Sequence, residues 1–182
     1  MTVLTRTPEN TNFIQPTKFL LTFDRMGSAQ YFCQEVNLPG VSMPQAPLTS
    51  PLHNWSVAGL NIQFEELRVS FIIDEDALAW RNLYNWFLAI SSPESFDERN
   101  YFSDIQNVNK TSDRRNFAVR TYSDATLTFL SNLNNPVLRV QFINAFPTSL
   151  SGINFDTKLS ADEILTSDAS FTYEYFKFLP LT

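Results

Sequence analysis

Residues 66–90, ELRVSFIIDEDALAWRNLYNWFLAI, contain the transition that decides the fold. In LRVSFI, apolar side chains alternate with polar ones, which is the period of a strand with one buried face. The apolar residues of the second half follow helical spacing instead. Asp74 is a candidate helix N-cap, and Glu75 and Asp76 would lie in the first turn, where the helix dipole favours carboxylates. The stretch predicts a strand that leads directly into a single helix at about 74–91.

The same alternation of apolar and polar residues recurs along most of the chain. It predicts further strands near residues 18–24, 31–36, 124–129, 138–146, 153–158 and 170–175. The chain also has 17 Phe and only 4 Gly, a composition that favours β structure with aromatic packing. We expect one mainly β domain over residues 17–182: a β-sandwich or barrel of two antiparallel sheets with one flanking α-helix.

Residues 38–62 are rich in proline, yet they carry many large apolar side chains. Regularly spaced prolines exclude a central strand, and a merely solvated loop does not need so many apolar groups. We interpret the segment as a protruding hairpin or arm that packs against a neighbouring subunit. A long loop folded over its own domain is the alternative. The predicted subunit interface consists of Pro39, Gly40, Val41, Met43, Leu48, Leu52, Trp55, Val57 and Leu60.

Two other segments depart from the alternating pattern. Residues 1–16 are polar and end at Pro16, and we expect a flexible N-terminal arm that becomes ordered when something docks on it. Residues 92–118 are polar and irregular, and they are too long for an ordinary connection between elements. They are expected to form an exposed excursion. No repeat or linker divides the chain into two domains.

The charge of the chain argues against nucleic-acid binding. There are 13 basic and 19 acidic residues, which gives a formal net charge of −6. Proteins that bind nucleic acid neutralise phosphates with a basic patch, so this chain should repel DNA on average. Arg114 and Arg115 form an isolated basic pair, which we interpret as a solvated or subunit-contact feature.

The chain shows no sign of export or membrane insertion. Its N-terminus lacks the continuous apolar stretch of a signal peptide. No run approaches the roughly 18 apolar residues of a membrane span. Cys33 is the single cysteine, which excludes an intrachain disulfide. We therefore expect a soluble protein made in a reducing cytoplasm.

Residues that carry catalysis or bind metals are scarce. The chain has one His and one Cys, so it cannot build a thiolate–imidazole zinc site alone. Nothing in the local sequence supplies His53 with a nucleophile or a carboxylate partner, and Cys33 fits the role of a small buried hydrophobe. The acidic residues at 74–76 are explained by the helix start. We expect no catalytic residue, no metal and no cofactor.

Four landmarks follow one another along the chain: FLLTF at 19–23, YFCQEVNLPGVSMP at 31–44, the strand-into-helix at 66–90, and VQFINAFPTSLSGINFD followed by SFTYEYFKF at 140–178. In this order they resemble the tail tube proteins of contractile-tailed (myovirus) bacteriophages. The Leu38-Pro39-Gly40 step, the acidic strand-into-helix and Phe146-Pro147-Thr148 carry the resemblance together. Residues 92–118 and the N-terminal arm depart from it.

The resemblance implies an assembly. In this family, β-sandwich subunits form hexameric rings around an inner β-barrel, and the rings stack into a tube inside a contractile sheath. The implied partners are further copies of the chain, sheath and baseplate proteins, and DNA in transit during ejection, in a virion tail assembled in the host cytoplasm. Baseplate tube initiators and type VI secretion tubes share the fold. A tube initiator, a tail terminator and a virion β-sandwich binding module are the alternatives.

An acidic lumen would let DNA slide through such a tube without binding to it. Polar residues on the alternating strands are the candidates for this surface. The alternative is that several of them face the outside or a subunit contact. The predicted lumen-lining set is Glu66, Arg68, Asp124, Thr126, Thr128, Arg139, Gln141, Thr172 and Glu174.

Overall fold

The computed structural model describes residues 12–24, 33–95, 122–158 and 164–180. The predicted arm 1–16 therefore lies outside the described residues up to residue 11, as does the predicted excursion 92–118 from residue 96 onward, including Arg114 and Arg115. The described part contains one helix and eleven strands: β1 (Phe19–Phe23), β2 (Cys33–Val36), β3 (Val41–Ser42), β4 (Gln45–Thr49), β5 (Asn54–Ala58), β6 (Gln63–Phe64), β7 (Leu67–Ile72), α1 (Leu78–Ser91), β8 (Ser123–Leu130), β9 (Pro136–Leu150), β10 (Thr166–Thr172) and β11 (Tyr175–Leu179).

Seven of these strands form two antiparallel sheets that share the long strand β9. Sheet A has the order β1-β8-β9-β11, and sheet B has the order β9-β10-β7-β2. The four short strands β3 to β6 form two separate two-stranded ladders within the proline-rich segment. The prediction of a mainly β fold with two antiparallel sheets and one flanking helix is confirmed.

A bulge in β9 lets one strand serve both sheets. Val140 and Phe142 are fully buried before it, and Ala145 is fully buried after it, so the inward positions change parity between them. Asn144 stands at the change with φ 54°, a left-handed conformation that Asn tolerates better than most residues. The pairing between β8 and β9 is irregular at the same place. The bulge therefore keeps apolar side chains in the core as β9 passes from one sheet to the other.

The core lies between the two sheets and one face of the helix. Ala79, Leu83, Trp86 and Ala89 are the buried residues of α1, at the three- and four-residue spacing of one helical face. The Trp86 ring lies 6.2 Å from that of Phe23 and 6.0 Å from that of Phe171. These two rings belong to sheets A and B respectively, so Trp86 joins both sheets to the helix.

The helix begins later than the sequence predicted. Its first residue is Leu78, and it has no acidic residue in its first turn. The backbone of Asp74 accepts a hydrogen bond from Ala77 N–H at 2.9 Å, and Asp74 Oδ1 accepts one from Leu78 N–H at 2.9 Å. Asp74 therefore closes a turn ahead of the helix, and Glu75 lies in that turn. Ala77, with φ 48°, is the cap residue.

Two strand predictions also need correction. The predicted strand at 153–158 is irregular chain followed by a turn. The predicted strand at 170–175 is broken at Tyr173 and Glu174, between the end of β10 at Thr172 on sheet B and the start of β11 at Tyr175 on sheet A. Glu174 N–H donates to Ile143 O at 3.0 Å, which fixes the bend between the two strands. Apolar and polar residues alternate on both sides of the break, so the sequence pattern does not reveal it.

Candidate subunit interfaces

The proline-rich segment is a β-hairpin whose strands β4 and β5 are exposed along their whole length. Ala46 pairs with Val57, and Leu48 pairs with Trp55. Directly opposed residues, and residues two apart on one strand, point to the same side of a ladder. These four side chains therefore form one apolar face, which we call the hairpin face, and Trp55 on it is 61 % exposed.

Hydrogen bonds close the hairpin at its base and tie the base to the core. Gly59 N–H donates to Pro44 O at 2.8 Å, and Glu65 N–H donates to Gly40 O at 3.0 Å. Tyr173 Oη donates to Glu65 O at 2.8 Å from the core side. Burial, with a further contribution from the Glu65 charge, raises the pKa of Tyr173 to about 12. The hydroxyl therefore stays protonated and able to donate at neutral pH.

The predicted interface residues differ in how exposed they are to solvent. Pro39 is buried in the subunit, so it packs at the hairpin base and offers little to a partner. The other predicted residues are exposed, most of all Leu52 at 97 % and Leu60 at 99 %. That exposure is what the interface prediction requires, and the interface itself stays a prediction.

The hairpin and its flanks carry almost no charge. From residue 36 to residue 64 the sequence contains no Asp, Glu, Lys or Arg. His53, at the tip, is the one residue in this stretch with an ionisable side chain, and its ring lies 6.3 Å from that of Trp55. Uncharged residues at this density suit a surface that becomes buried, because no charge loses its hydration.

The predicted lumen residues separate into two groups. Thr126 pairs with Thr22 and Gln141, and Gln141 pairs with Lys177, which makes one polar row across all four strands of sheet A. Thr128 pairs with Arg139 in the next row, and Thr128 itself is buried. Arg68 and Thr172 belong instead to the outer face of sheet B, with Glu66 just before β7 and Glu174 at the bend.

Two of the predicted lumen carboxylates are engaged at the β9 bulge. Asp124 Oδ1 accepts a hydrogen bond from Asn144 N–H at 3.0 Å, and Asp124 Oδ2 accepts one from Gln141 Nε2 at 3.1 Å. Asn144 Nδ2 donates to Glu174 Oε2 at 2.7 Å. Asp124 and Glu174 therefore hold the bulge in place. The sequence analysis did not identify Asn144. Its only signal in the sequence is in FINAF, residues 142–146, where the apolar positions stop alternating regularly.

Sheet A ends at two strands without an outer neighbour. Among the described residues, β1 pairs only with β8, and β11 pairs only with β9. Such edges present unpaired backbone N–H and C=O groups to which another strand can pair. Phe178 and Tyr175 on β11 are exposed, which adds apolar surface to this edge.

The described residues offer little for metal binding. No three His, Cys, Asp or Glu side chains gather there as a metal site. Burial raises the pKa of Cys33 to about 11, against a smaller opposing effect of a hydrogen bond with the Glu35 backbone. A thiol with that pKa is a poor nucleophile at neutral pH. Among the residues that the structure describes, no helix is long and apolar enough to cross a membrane.

Comparisons with known proteins agree with this architecture. The chain is 25 % identical over 173 residues to the tail tube terminator protein of Enterobacteria phage T4, covering 91 % of this chain and 89 % of the T4 protein. The tube terminating cap of the anti-feeding prophage is similar at TM-score 0.62 and 14 % identity, with all of both chains covered. The 6-fold symmetrised baseplate structure of that prophage contains a similar chain at TM-score 0.54 and 11 % identity, covering 93 % and 97 %.

At 14 % and 11 % sequence identity, the similarity to these two solved structures shows a shared fold. The family described as phage tail tube protein matches residues 10–179, nearly the whole chain. The chain therefore belongs to the phage tail tube protein family.

Proposed function

We propose that the chain closes into a ring that extends the channel of a phage tail tube. Sheet A carries this proposal. It has four antiparallel strands, so its edge strands β1 and β11 run in opposite directions. When copies are related by rotation, β11 of one copy meets β1 of the next with antiparallel polarity. An even number of strands thus lets the sheet continue around a ring and leaves no open edge.

Six copies are the number we propose. The support is the 6-fold symmetrised anti-feeding prophage baseplate, which contains a chain of this fold. The outer face of sheet A would line the channel, because its central row of Thr22, Thr126 and Gln141 is polar and lies between the two joining edges.

The charge of this face modifies the expectation of an acidic lumen. Asp124 is opposed on the same sheet face by Arg139 and Lys177, and its carboxylate is occupied by two hydrogen bonds. We infer a channel wall whose central row presents hydroxyl and amide groups beside Lys177, with two cations per subunit, Arg139 and Lys177, against the one carboxylate of Asp124. The hydroxyl and amide groups between these charges offer phosphates no ionic contact, so DNA would be held only weakly.

Within the tail, we place the ring at the end of the tube, as a terminator. The observation that favours this position is the collinear match to the T4 tail tube terminator over about nine tenths of both chains. A repeated tube subunit is the second candidate, favoured by the family description. In either position the hairpin face would bury against an adjoining ring, and sheath and baseplate proteins would be neighbours in a virion tail assembled in the host cytoplasm.

Electron microscopy of the purified chain in negative stain tests both parts of the proposal. A terminator should give single six-membered rings that do not elongate as the protein concentration rises. Long tubes would move the chain to the repeated position. A chain that stays monomeric across protein and salt concentrations would contradict the ring itself.

A further inference from the structure

The charged residues of sheet A are segregated along the direction of its strands. The four strands, together with the residue at either end of each, contain three carboxylates and three cations: Asp24, Asp124, Glu174, Lys18, Arg139 and Lys177. The carboxylates lie at one end of the sheet, and the cations lie toward the other. We call these the acidic end and the basic end.

Contacts between strands define the acidic end. Asp24 N–H donates to Asp124 O at 3.0 Å, and Glu174 N–H donates to Ile143 O at 3.0 Å. Asn144 donates to Asp124 Oδ1 and to Glu174 Oε2 at 3.0 and 2.7 Å. The carboxylates of Asp124 and Glu174 are therefore occupied within the subunit.

The cations extend from the central polar row to the far end of the sheet. Lys177 pairs with Gln141 in that row, and Arg139 pairs with Leu179 one row farther from the carboxylates. Arg139 and Lys177 are thus diagonal neighbours on adjacent strands, about 7–8 Å apart, and both are exposed.

Lys18 has a different role at the basic end. Its Nζ donates to Asn132 O at 2.7 Å and to Asn134 Oδ1 at 2.9 Å, so it holds the turn between β8 and β9. Arg139 and Lys177 therefore remain as the cations that this face offers to a ligand.

We propose that Arg139 and Lys177 form a binding site for the phosphate backbone of duplex DNA toward the basic end of the channel. The inference rests on the proposed function, in which the outer face of sheet A lines the channel of a closed ring. Each subunit contributes both cations, so the ring carries a belt of them. Lys and Arg contact phosphates without reading sequence, and the Arg guanidinium can bind phosphate oxygens in a bidentate manner.

The depth of the cations favours DNA over an acidic protein as the ligand. Gln141, opposite Lys177, is five residues from Pro136 at the start of β9, which is roughly 17 Å along the strand. A protein that rests on the mouth of the ring would not reach this depth, whereas a polymer inside the channel would pass it.

The position of the hairpin relates this site to the tube. Tyr173, whose hydroxyl binds Glu65 O at the hairpin base, directly precedes Glu174. The ring of Phe64, beside Glu65, lies 5.4 Å from that of Phe176. The hairpin therefore leaves the body near the acidic end. In a terminal ring whose hairpins face the tube, the basic end is the free mouth, and entering DNA meets the cations before the carboxylates.

Gel-shift titration of assembled rings with a linear duplex tests the site. Parent rings should bind the duplex at about 50 mM salt and release it at about 200 mM. The double variant Arg139→Gln/Lys177→Gln should bind at least about tenfold more weakly at the lower salt concentration, with a shallower salt dependence. Parent rings that do not bind the duplex would overturn the proposal.

The matched control removes the same two charges elsewhere. Arg81 on α1 and Lys158 in a turn are both exposed and lie outside sheet A. Arg81→Gln/Lys158→Gln should bind DNA within about twofold of the parent, because only the net charge has changed. Equal weakening in the two double variants would contradict a site at Arg139 and Lys177.

A covalently closed circle of the same sequence tests whether the site lies in the channel. The circle cannot thread a closed ring, so parent rings should bind it at least about tenfold more weakly than the linear duplex. Equal binding would place the site on an outer surface and overturn the proposal. Poly-L-glutamate tests the class of ligand: displacement of the duplex at an equal concentration of charge would assign the cations to an acidic protein instead.

DNA binding and ring formation fail separately. Electron microscopy of the same samples scores the rings first. Rings that form but do not discriminate the linear duplex from the circle would remove this inference and leave the ring proposal standing. Chains that never form rings would remove both, because the site needs a closed channel. The comparison of linear and circular DNA uses parent rings, so it holds even if a substitution impairs assembly.

Discussion

At the scale of the residue, Asn144 has the widest influence on the fold. Its left-handed backbone makes the bulge that keeps β9 in register with both sheets. Its amide hydrogen bonds reach Asp124 on β8 and Glu174 between β10 and β11. One residue thus connects the end of sheet B to the proposed channel wall.

Replacing Asn144 should therefore reduce stability in a graded way. Asn144→Gly keeps access to positive φ and loses the bond to Glu174, a cost of about 1 kcal/mol. Asn144→Val loses the same bond and also strains the backbone, so the free energy of unfolding should fall by about 2–4 kcal/mol. Urea denaturation measures both. Similar losses in the two variants would show that the backbone conformation contributes little.

Two glycines are expected to respond differently to one added methyl group. A Cβ at Gly59 would lie 2.5 Å from Pro44 O, the acceptor of the Gly59 N–H bond. A Cβ at Gly152 would meet nothing within 4 Å. Gly59→Ala should therefore displace the hairpin base and weaken ring stacking, while Gly152→Ala should stay within about 0.5 kcal/mol of the parent. Sedimentation velocity and urea denaturation report the two effects.

Cys33 predicts a specific alkaline response. Its pKa rises from 9.0 to about 11 in the folded chain, so folding favours the protonated thiol. The corresponding stability is fully present below pH 9 and is lost as the pH rises from about 9 to 11. Cys33→Ala should show a smaller loss of unfolding free energy between pH 8 and pH 10.5 than the parent chain. Parallel pH profiles would contradict this effect of burial.

At the scale of the element, the hairpin is exposed in the subunit and would be covered in the proposed assembly. Its strands pair well with each other, but neither strand contributes a buried side chain to its own subunit. Proline within β4 limits its pairing with further strands, which leaves side-chain burial as its way of binding. We therefore expect changes in this segment to affect the proposed contact between rings without affecting the stability of the subunit.

The double variant Leu48→Ser/Trp55→Ser tests that separation. Both side chains are exposed on the hairpin face, so the free energy of unfolding should change by less than about 0.5 kcal/mol. Association with an adjoining ring should weaken at least about tenfold, because buried aromatic residues dominate many interfaces. Leu133→Ser is the control. A large loss of subunit stability would mean that the hairpin packs on its own domain.

The elements also show how far the sequence pattern reaches. The strand at 67–72 and the helix were predictable, because the apolar period changes from two residues to helical spacing within a few positions. The start of the helix was not, because the Asp74 side chain serves a turn that the pattern does not encode. The pairing of Leu48 with Trp55 could not be predicted, because it depends on the register of the hairpin and the prolines interrupt the pattern that would indicate that register. The row formed by Thr22, Thr126 and Gln141 could not be predicted either, because it depends on the order of strands in the sheet. The alternation of apolar and polar residues does not determine that order.

At the scale of the whole molecule, the two sheets have separate tasks in the proposed assembly. Sheet A joins subunits sideways through its edges and lines the channel. Sheet B carries the hairpin, which leaves the body beside the start of β7. A net charge of −6 per chain would discourage DNA from binding to the outer surface of the proposed rings.

The channel wall can be tested by changing its charge. Thr126→Lys would add a cation per subunit to the central polar row of sheet A, so rings of the variant should retain DNA at 150 mM salt, with affinity that falls steeply as salt rises. Parent rings should retain less DNA at the same salt concentration. Ser170→Lys, on the outer face of sheet B, is the matched control. Equal DNA retention by the two variants would show that sheet A does not line the channel.

The long strand β9 has a mechanical consequence. In a sandwich whose layers touch only through side chains, shear can make the layers slide. Here a single backbone of 15 residues, about 50 Å at 3.3 Å per residue, runs through both layers. A load applied along one sheet reaches the other through covalent bonds, and the bulge at Asn144 is the point where it changes direction. A tail under contraction would move such a subunit as one rigid piece, and yielding would begin at that bulge.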